Sequence, residues 1–244
     1  MTKPAALWQN IYEILRAEIA QGAWRAGARL PTEAGLAQRF DVNRHTVRRA
    51  LQALADDGLV QARRGAGVFV RPGPVPYRIG TRTRFRQNLL SAGRTPSRKV
   101  LHLGRQAASV PEAQALGVSP GAPLHVLESI SFADELPISL ARSCFCATRF
   151  PEMGAALRDQ GSVTAALAHV GVGDYTRRST RLTGHNADPV QARHLQIKTG
   201  DALILSESIN IDPMGQPVEF GRSYFVGARV ELVLDGSETA PFVI

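Results

Sequence analysis

The sequence predicts an α+β protein of two domains: three helices and a β-hairpin over residues 1–71, then an antiparallel sheet covered by helices over residues 77–244. Three observations predict this. The chain opens with a helix, a short helix, a tight turn and a third helix. Pro72-Gly73-Pro74-Val75-Pro76 then interrupts both helical and strand patterning, and reads as a spacer. Beyond it, the pattern from Leu116 through Ile130 recurs 79 residues later as Leu195 through Ile209. A chain of 244 residues is long for one module when domains of roughly 100 to 150 residues are typical.

In the first domain, Trp8, Ile11, Tyr12, Leu15 and Ile19 recur at helical spacing and Gly22 stands where the helix ends. Thr32 is a cap for a short second helix with Leu36, Ala37 and Phe40 inward. Asp41-Val42-Asn43 breaks the pattern, Asn43 caps a third helix, and Gly58 terminates it after about Asp57. On that helix Val47, Ala50, Leu51 and Leu54 share one arc, while Arg44, His45, Arg48, Arg49 and Gln52 occupy the other. Residues 59–63 and 67–71 read as two strands joined by Arg64-Gly65-Ala66.

A basic helix alone would be a solvated surface. Here a short helix and a tight turn precede it and a glycine-rich basic hairpin follows, which makes a winged helix-turn-helix. Its third helix suits the major groove, with Arg44 and Arg48 best placed for base edges. Gly65-x-Gly67 is not a phosphate loop, because no helix starts after it.

The charge distribution agrees. The net charge is +8, and residues 1–71 carry 11 Lys/Arg against 6 Asp/Glu, residues 72–105 carry 8 against none, and the remainder 10 against 15. The basic excess therefore lies in the first 105 residues, the footprint expected of a polyanion partner on one domain.

Arg-Leu-Pro-Thr-Glu (29–33), Asp-Val-Asn-Arg-His-Thr-Val-Arg-Arg-Ala-Leu (41–51) and Gly-Leu-Val (58–60), in this order, resemble the GntR family of bacterial regulators. The resemblance implies that Arg44, His45, Thr46 and Arg48 face the groove. It also implies that Arg64 and Gly65 reach the minor groove from the wing, and that Asn43 and Arg29 hold phosphates. Glu33-Ala34-Gly35-Leu36 departs from the family, which usually has a longer polar residue or arginine after the Glu33 position, so a phosphate contact from the second helix is expected to be missing.

In the second domain the repeat continues at a spacing of 80, with Pro137 matching Pro217 and Arg142-Ser143-Cys144-Phe145 matching Arg222-Ser223-Tyr224-Phe225. Each copy reads helix, strand, turn, strand, and two hairpins imply an antiparallel sheet with helices against it. Between the copies, Ser162 caps a helix carrying Val163, Ala166, Leu167 and Val170, and a strand follows over about 175–183.

This organisation resembles the effector-binding UTRA domain of the HutC subfamily, which implies a chorismate-lyase-like fold that senses small molecules. Asn43-Arg44-His45-Thr46, Arg84-Phe85-Arg86-Gln87-Asn88-Leu89-Leu90 and Arg177-Arg178-Ser179-Thr180-Arg181 resemble regulators of phosphonate utilisation within it. Arg82, Arg84 and Arg86 alternate before a helix expected near Gln87, a setting that suits a phosphonate or phosphate ester, although these arginines equally suit the DNA backbone or a dimer partner. The resemblance places the effector pocket at Arg84, Arg86, Ser162, Thr164, Arg181, Glu219 and Tyr224. Arg142 joins them as the repeat equivalent of Arg222, with a surface ion pair as its alternative. Relatives that bind sugar phosphates often carry Arg-x-Arg where Ser129-Ile130-Ser131 stands, which argues against that ligand.

Other classes are excluded or set aside. No apolar run reaches the roughly 20 residues of a membrane span, and the N-terminus lacks a signal-peptide pattern, so a soluble cytoplasmic protein, nucleoid-associated when DNA-bound, is expected. Two cysteines, Cys144 and Cys146, on one strand are too few for a zinc site and poorly placed for a disulfide, so no metal and no cofactor is expected. His102, His125, His169, His185 and His194 fall in no catalytic motif, which leaves a lyase-like enzyme as a remote alternative. The expected protein is a repressor, a homodimer on a palindromic operator, that responds to a small anionic effector, with urocanate, a sugar phosphate or an acyl chain as alternative ligands.

Overall fold

The computed structural model describes residues 7–24, 27–63, 65–71 and 73–234, and the chain divides into two compact units, Met1–Gly73 and Pro74–Ile244. Arg64 and Pro72 lie outside the described residues.

The first unit runs α1 (Leu7–Ala20), α2 (Glu33–Phe40), α3 (Arg44–Asp56), β1 (Val60–Arg63) and β2 (Gly67–Val70). Its core joins Ile11 and Leu15 of α1, Leu36 of α2, Val47, Ala50, Leu51 and Leu54 of α3, and Val60 and Val70 of the hairpin. Leu15, Leu36 and Leu54 are fully buried, each stabilising the fold by about 2 kcal/mol relative to an exposed side chain. The helices begin where the sequence supplies an acceptor: Thr32 Oγ1 accepts from Gly35 N at 3.1 Å, and Asn43 Oδ1 from Thr46 N at 2.9 Å. Asp41 takes the left-handed conformation between them, with φ 49°.

The second unit contains β3 (Val75–Arg78), α4 (Phe85–Ser91), β4 (Pro96–Ala107), α5 (Val110–Leu116), β5 (Pro123–Ala133), β6 (Leu136–Cys146), α6 (Met153–Gln160), α7 (Val163–His169), β7 (Thr176–Asn186), α8 (Pro189–Leu195), β8 (Ala202–Ile211), β9 (Pro217–Val226) and β10 (Val230–Val233). Six strands form one antiparallel sheet in the order β4-β5-β6-β9-β8-β7, palindromic in the repeat. Each copy is thus strand, helix, strand, strand, one strand longer than the periodicity suggests. The helices of the two copies start alike. Ser109 with Glu112 and Asp188 with Gln191 form matching capping boxes, each with a proline in the first turn.

The spacer expectation needs correction. Pro76 lies inside β3, which pairs in parallel with β10 as a two-stranded sheet. A two-stranded ribbon consists of edges, so proline's missing N–H need not break a ladder. Also unanticipated is α6, whose Met153, Ala156 and Leu157 complete a core with Phe145, Phe150 and Leu167. Among the described residues no helix is long and apolar enough to cross a membrane, and no group of three or more His, Cys, Asp or Glu is arranged to hold a metal.

Glu112 fixes α5 onto the sheet. Burial pushes its carboxyl up, but the Ser109 N–H and hydroxyl, the Arg142 guanidinium and the Cys144 thiol all donate to it and hold it at about 2 against an ordinary 4.5. A folded value below the unfolded one means the stabilisation is complete above about pH 4.5 and is lost as pH falls towards 2. Glu112→Ala is expected to cost about 2 kcal/mol, because it leaves Arg142 and the cap with lost partners, and to flatten the acid side of the stability profile. Chemical denaturation at pH 7 and at pH 3.5 checks both; an unchanged acid limb would contradict the assignment.

Candidate functional site

The exposed face of α3 carries Arg44, His45, Arg48 and Arg49. Asn43 Oδ1 is committed to its cap, accepting from the N–H of Thr46 and from its hydroxyl at 3.0 Å, so only its amide N–H groups remain for another partner. Arg48 is not free: its Nε and Nη2 donate to the two carboxylate oxygens of Glu33 at 3.0 and 2.7 Å. That fork corrects the expectation that Arg48 stands ready for a base edge, and it gives Glu33 a role that the sequence did not suggest. Arg49 lies over the Trp8 ring at 4.6 Å, facing α1.

In the wing, Arg29 bridges to Phe69 and its side chain crosses Gly67, where an added Cβ would stand 2.8 Å from Arg29 Nε. Gly67 has φ 106° and Gly65 φ 75°, so both glycines occupy conformations that other residues rarely adopt. Arg29, Asn43, Arg44, His45 and Gly65 are exposed, Thr46 half-buried. Arg64 is outside the described residues.

The second unit holds a cavity of about 1100 Å³ on one face of the six-stranded sheet. Its floor is built from short side chains, Ser131, Ser139, Ala141, Ser143, Ser208, Gly221 and Ser223, and this lack of bulk makes the space. Its walls are α4 with the segment before it and the first turn of α7. Asn88 holds α4 in place, accepting from Arg78 N at 2.9 Å and donating to Arg78 O at 3.1 Å. Thr83 Oγ1 donates to Gly80 O at 2.8 Å and shapes the preceding loop.

Of the predicted pocket residues, Arg84, Arg86, Ser162, Thr164 and Glu219 come together around this cavity. Arg84 Nη2 donates to Tyr175 O at 2.8 Å and its guanidinium stacks 3.5 Å from the Tyr175 ring centroid. The Tyr175 hydroxyl shares a 2.9 Å hydrogen bond with Thr164 Oγ1. Ser162 Oγ caps α7 by accepting from Ala165 N. Arg82 instead forms an exposed ion pair with Asp174 and stays outside the lining.

Arg142, Arg181 and Tyr224 are corrections. Side chains alternate across a strand, and the cavity takes Glu219, Gly221, Ser223 and Phe225. Tyr224 therefore points to the opposite face, where it packs with α8 and meets the His185 ring at 4.9 Å. Arg142 is on that face too, with its guanidinium on Glu112 at 3.1 Å and Glu128 at 2.7 Å. Arg181 is exposed opposite Glu207, itself paired with Arg222 at 3.1 Å.

Sequence reasoning missed Arg98, Tyr77 and Tyr175 in the cavity and gave Arg177 no place in it. Tyr77 packs on Phe225, and burial pushes its hydroxyl up to about 12. One signal was available: Arg98 precedes Arg177 by the repeat distance of 79.

A helix-turn-helix unit with a basic recognition face, joined to a unit built around a small-molecule cavity, defines a ligand-responsive transcriptional regulator. Residues 7–70 match the family described as bacterial regulatory proteins, gntR family, and residues 91–231 match the UTRA domain. The chain is 40% identical to an HTH-type transcriptional regulator of Rhizobium meliloti (strain 1021) over 94% of this chain and 95% of that one. It is 32% identical to the probable transcriptional regulator PhnF of Escherichia coli (strain K12), over 93% and 94%. The crystal structure of PhnF from Mycobacterium smegmatis shares the fold, with a TM-score of 0.64 at 24% identity over 93% of this chain and 99% of that one. The chain therefore belongs to the GntR family of regulators and, with its UTRA domain, to the HutC, PhnF-like group within it. GntR regulators bind operator DNA, and UTRA domains bind small-molecule effectors.

Asn43→Ala is expected to lower the stability of the first unit by about 1 kcal/mol, whereas Asn43→Asp keeps the acceptor and the stability. Thermal melts of both variants check this, and equal losses would contradict the capping role.

Proposed function

We propose that this protein is a transcriptional repressor of genes for phosphonate uptake or metabolism, released from a palindromic operator when its cavity takes up a phosphonate or phosphate ester. The observation that carries the reading is a cavity of about 1100 Å³ edged by Arg84, Arg86 and Arg98 and floored by serines. Guanidinium groups and hydroxyls suit a tetrahedral oxyanion, and Arg offers two parallel donors to it. The similarity to PhnF supports the same choice. No step of covalent chemistry is needed; the protein acts in the cytoplasm by binding, not as an enzyme.

A homodimer would present two copies of α3 to the two halves of a symmetric operator. On each copy Arg44 and His45 read bases, with Thr46 beside them. Asn43 donates to a phosphate through its amide, and Arg29, Arg64 and Gly65 engage the backbone and minor groove from the wing. Arg48 joins them by exchanging Glu33 for a base edge. The effector couples to DNA through its differing affinity for the DNA-bound and released arrangements.

In mobility shifts across a salt series, Arg44→Ala should relax base preference at one position per half-site, by about 1–3 kcal/mol of discrimination. Arg48→Ala should do the same with a smaller penalty, because the wild-type side chain must first leave Glu33. Binding that ignores DNA sequence would defeat the specific-regulator reading. Wild-type protein that fails to respond to any of a phosphonate, phosphate and sugar-phosphate panel would defeat the anionic-effector reading.

A further inference from the structure

The two copies of the repeat place different chemistry at equivalent points of the cavity. In the second copy Arg177 stands opposite Asn210, and Asn210 opposite Glu219. Arg177 Nε donates to Asn210 Oδ1 at 2.8 Å, and Asn210 Nδ2 donates to Glu219 Oε2 at 2.7 Å, so that arginine is satisfied inside the protein. In the first copy the same three places hold Arg98, Ser131 and Ser139, again opposite one another. Two serines replace an amide and a carboxylate. They are short and carry no charge.

Arg98 is consequently left over. It lines the cavity, half-buried, and no described residue gives it a hydrogen bond or an ion pair. Burial lowers its pKa, the Glu219 carboxylate acts in the opposite sense, and the two side chains, both in the cavity lining, form no ion pair with each other. A guanidinium held partly out of water without a counter-ion is costly, and an arriving anion would remove that cost. Glu219, buried, has one oxygen on Asn210; the other faces Gly221, which has no side chain to obstruct it. The cavity therefore has a cationic pole and, apart from it, a pole that accepts a donor.

We propose that Arg98 is the residue that binds the anionic group of the effector, and that the effector carries a second group, an ammonium or hydroxyl, that donates to Glu219. This rests on the reading of the cavity as the effector site and narrows the ligand to a small organic anion with a donor at its far end.

Calorimetry on the full chain with 3-aminopropylphosphonate and the amine-free propylphosphonate tests it. Wild type should bind the amino compound more tightly. Arg98→Gln should weaken both by about tenfold to a hundredfold, the range for a lost charge-assisted pair. Ser139→Glu, which gives the first copy a carboxylate at the place of Glu219 in the second, should do the same by occupying Arg98 from within. Glu219→Gln should remove most of the advantage of the amino compound, and Arg105→Gln, an exposed arginine on the same strand outside the cavity, should change nothing. Operator binding without ligand reports that each variant is folded. If Arg98→Gln and Ser139→Glu both bind like wild type while wild type responds to the ligands, the anion sits elsewhere and this proposal fails while the effector reading stands. If wild type binds neither compound, nor any other anion of the panel, both fail together.

Discussion

The pairing of β6 with β9 is the contact on which the second unit depends. It joins the copies across their pseudo-twofold, from Ser139 opposite Phe225 to Cys144 opposite Phe220, and places the equivalent residues Arg142 and Arg222 side by side. Two like charges directly opposite on a sheet repel. Each is answered from its own copy, Arg142 by Glu128 and Glu112, Arg222 by Glu207. The row closes as Glu128, Arg142, Arg222, Glu207, with α5 and α8 packed on either side of it. One face of the sheet is thereby spent on holding the copies together.

The other face is then free to be a floor. Because side chains alternate, every residue that tightens the seam on one side has neighbours that open the cavity on the other: Ala141 and Ser143 flank Arg142, and Gly221 and Ser223 flank Arg222. Duplication supplies symmetry, and the cavity breaks it. Copy two holds Arg177 on Asn210, which in turn holds Glu219, whereas copy one has serines opposite Arg98, so a nearly symmetric sheet presents unlike polar groups at equivalent places.

In the first unit the same economy appears at smaller scale. α3 is fixed by its buried arc and by the Asn43 cap, and its outer arc is thereby exposed. Arg48 held by Glu33 keeps one cation ordered before DNA arrives, and the close passage of Arg29 over Gly67 ties the segment before α2 to the wing.

The helices of the first unit, their caps, the hairpin and the internal repeat were legible in the sequence, because they rest on local rules: periodicity, a capping side chain, a turn glycine. So were Arg84, Ser162, Thr164 and Glu219 as cavity residues, through family resemblance. Which face of a strand a residue occupies was not legible, since that depends on register and bulges set by partner strands; it sent Arg142, Arg181 and Tyr224 away from the cavity. The strand at Pro76 required β10, some 150 residues later, as its partner. The sequence by itself determined what kinds of element form and that the sensor is doubled. Only the tertiary structure decided which arginines spend their charge within the protein and which, like Arg98, line the cavity with no ion pair among the described residues, because ion pairing is settled by distances between residues far apart in the chain.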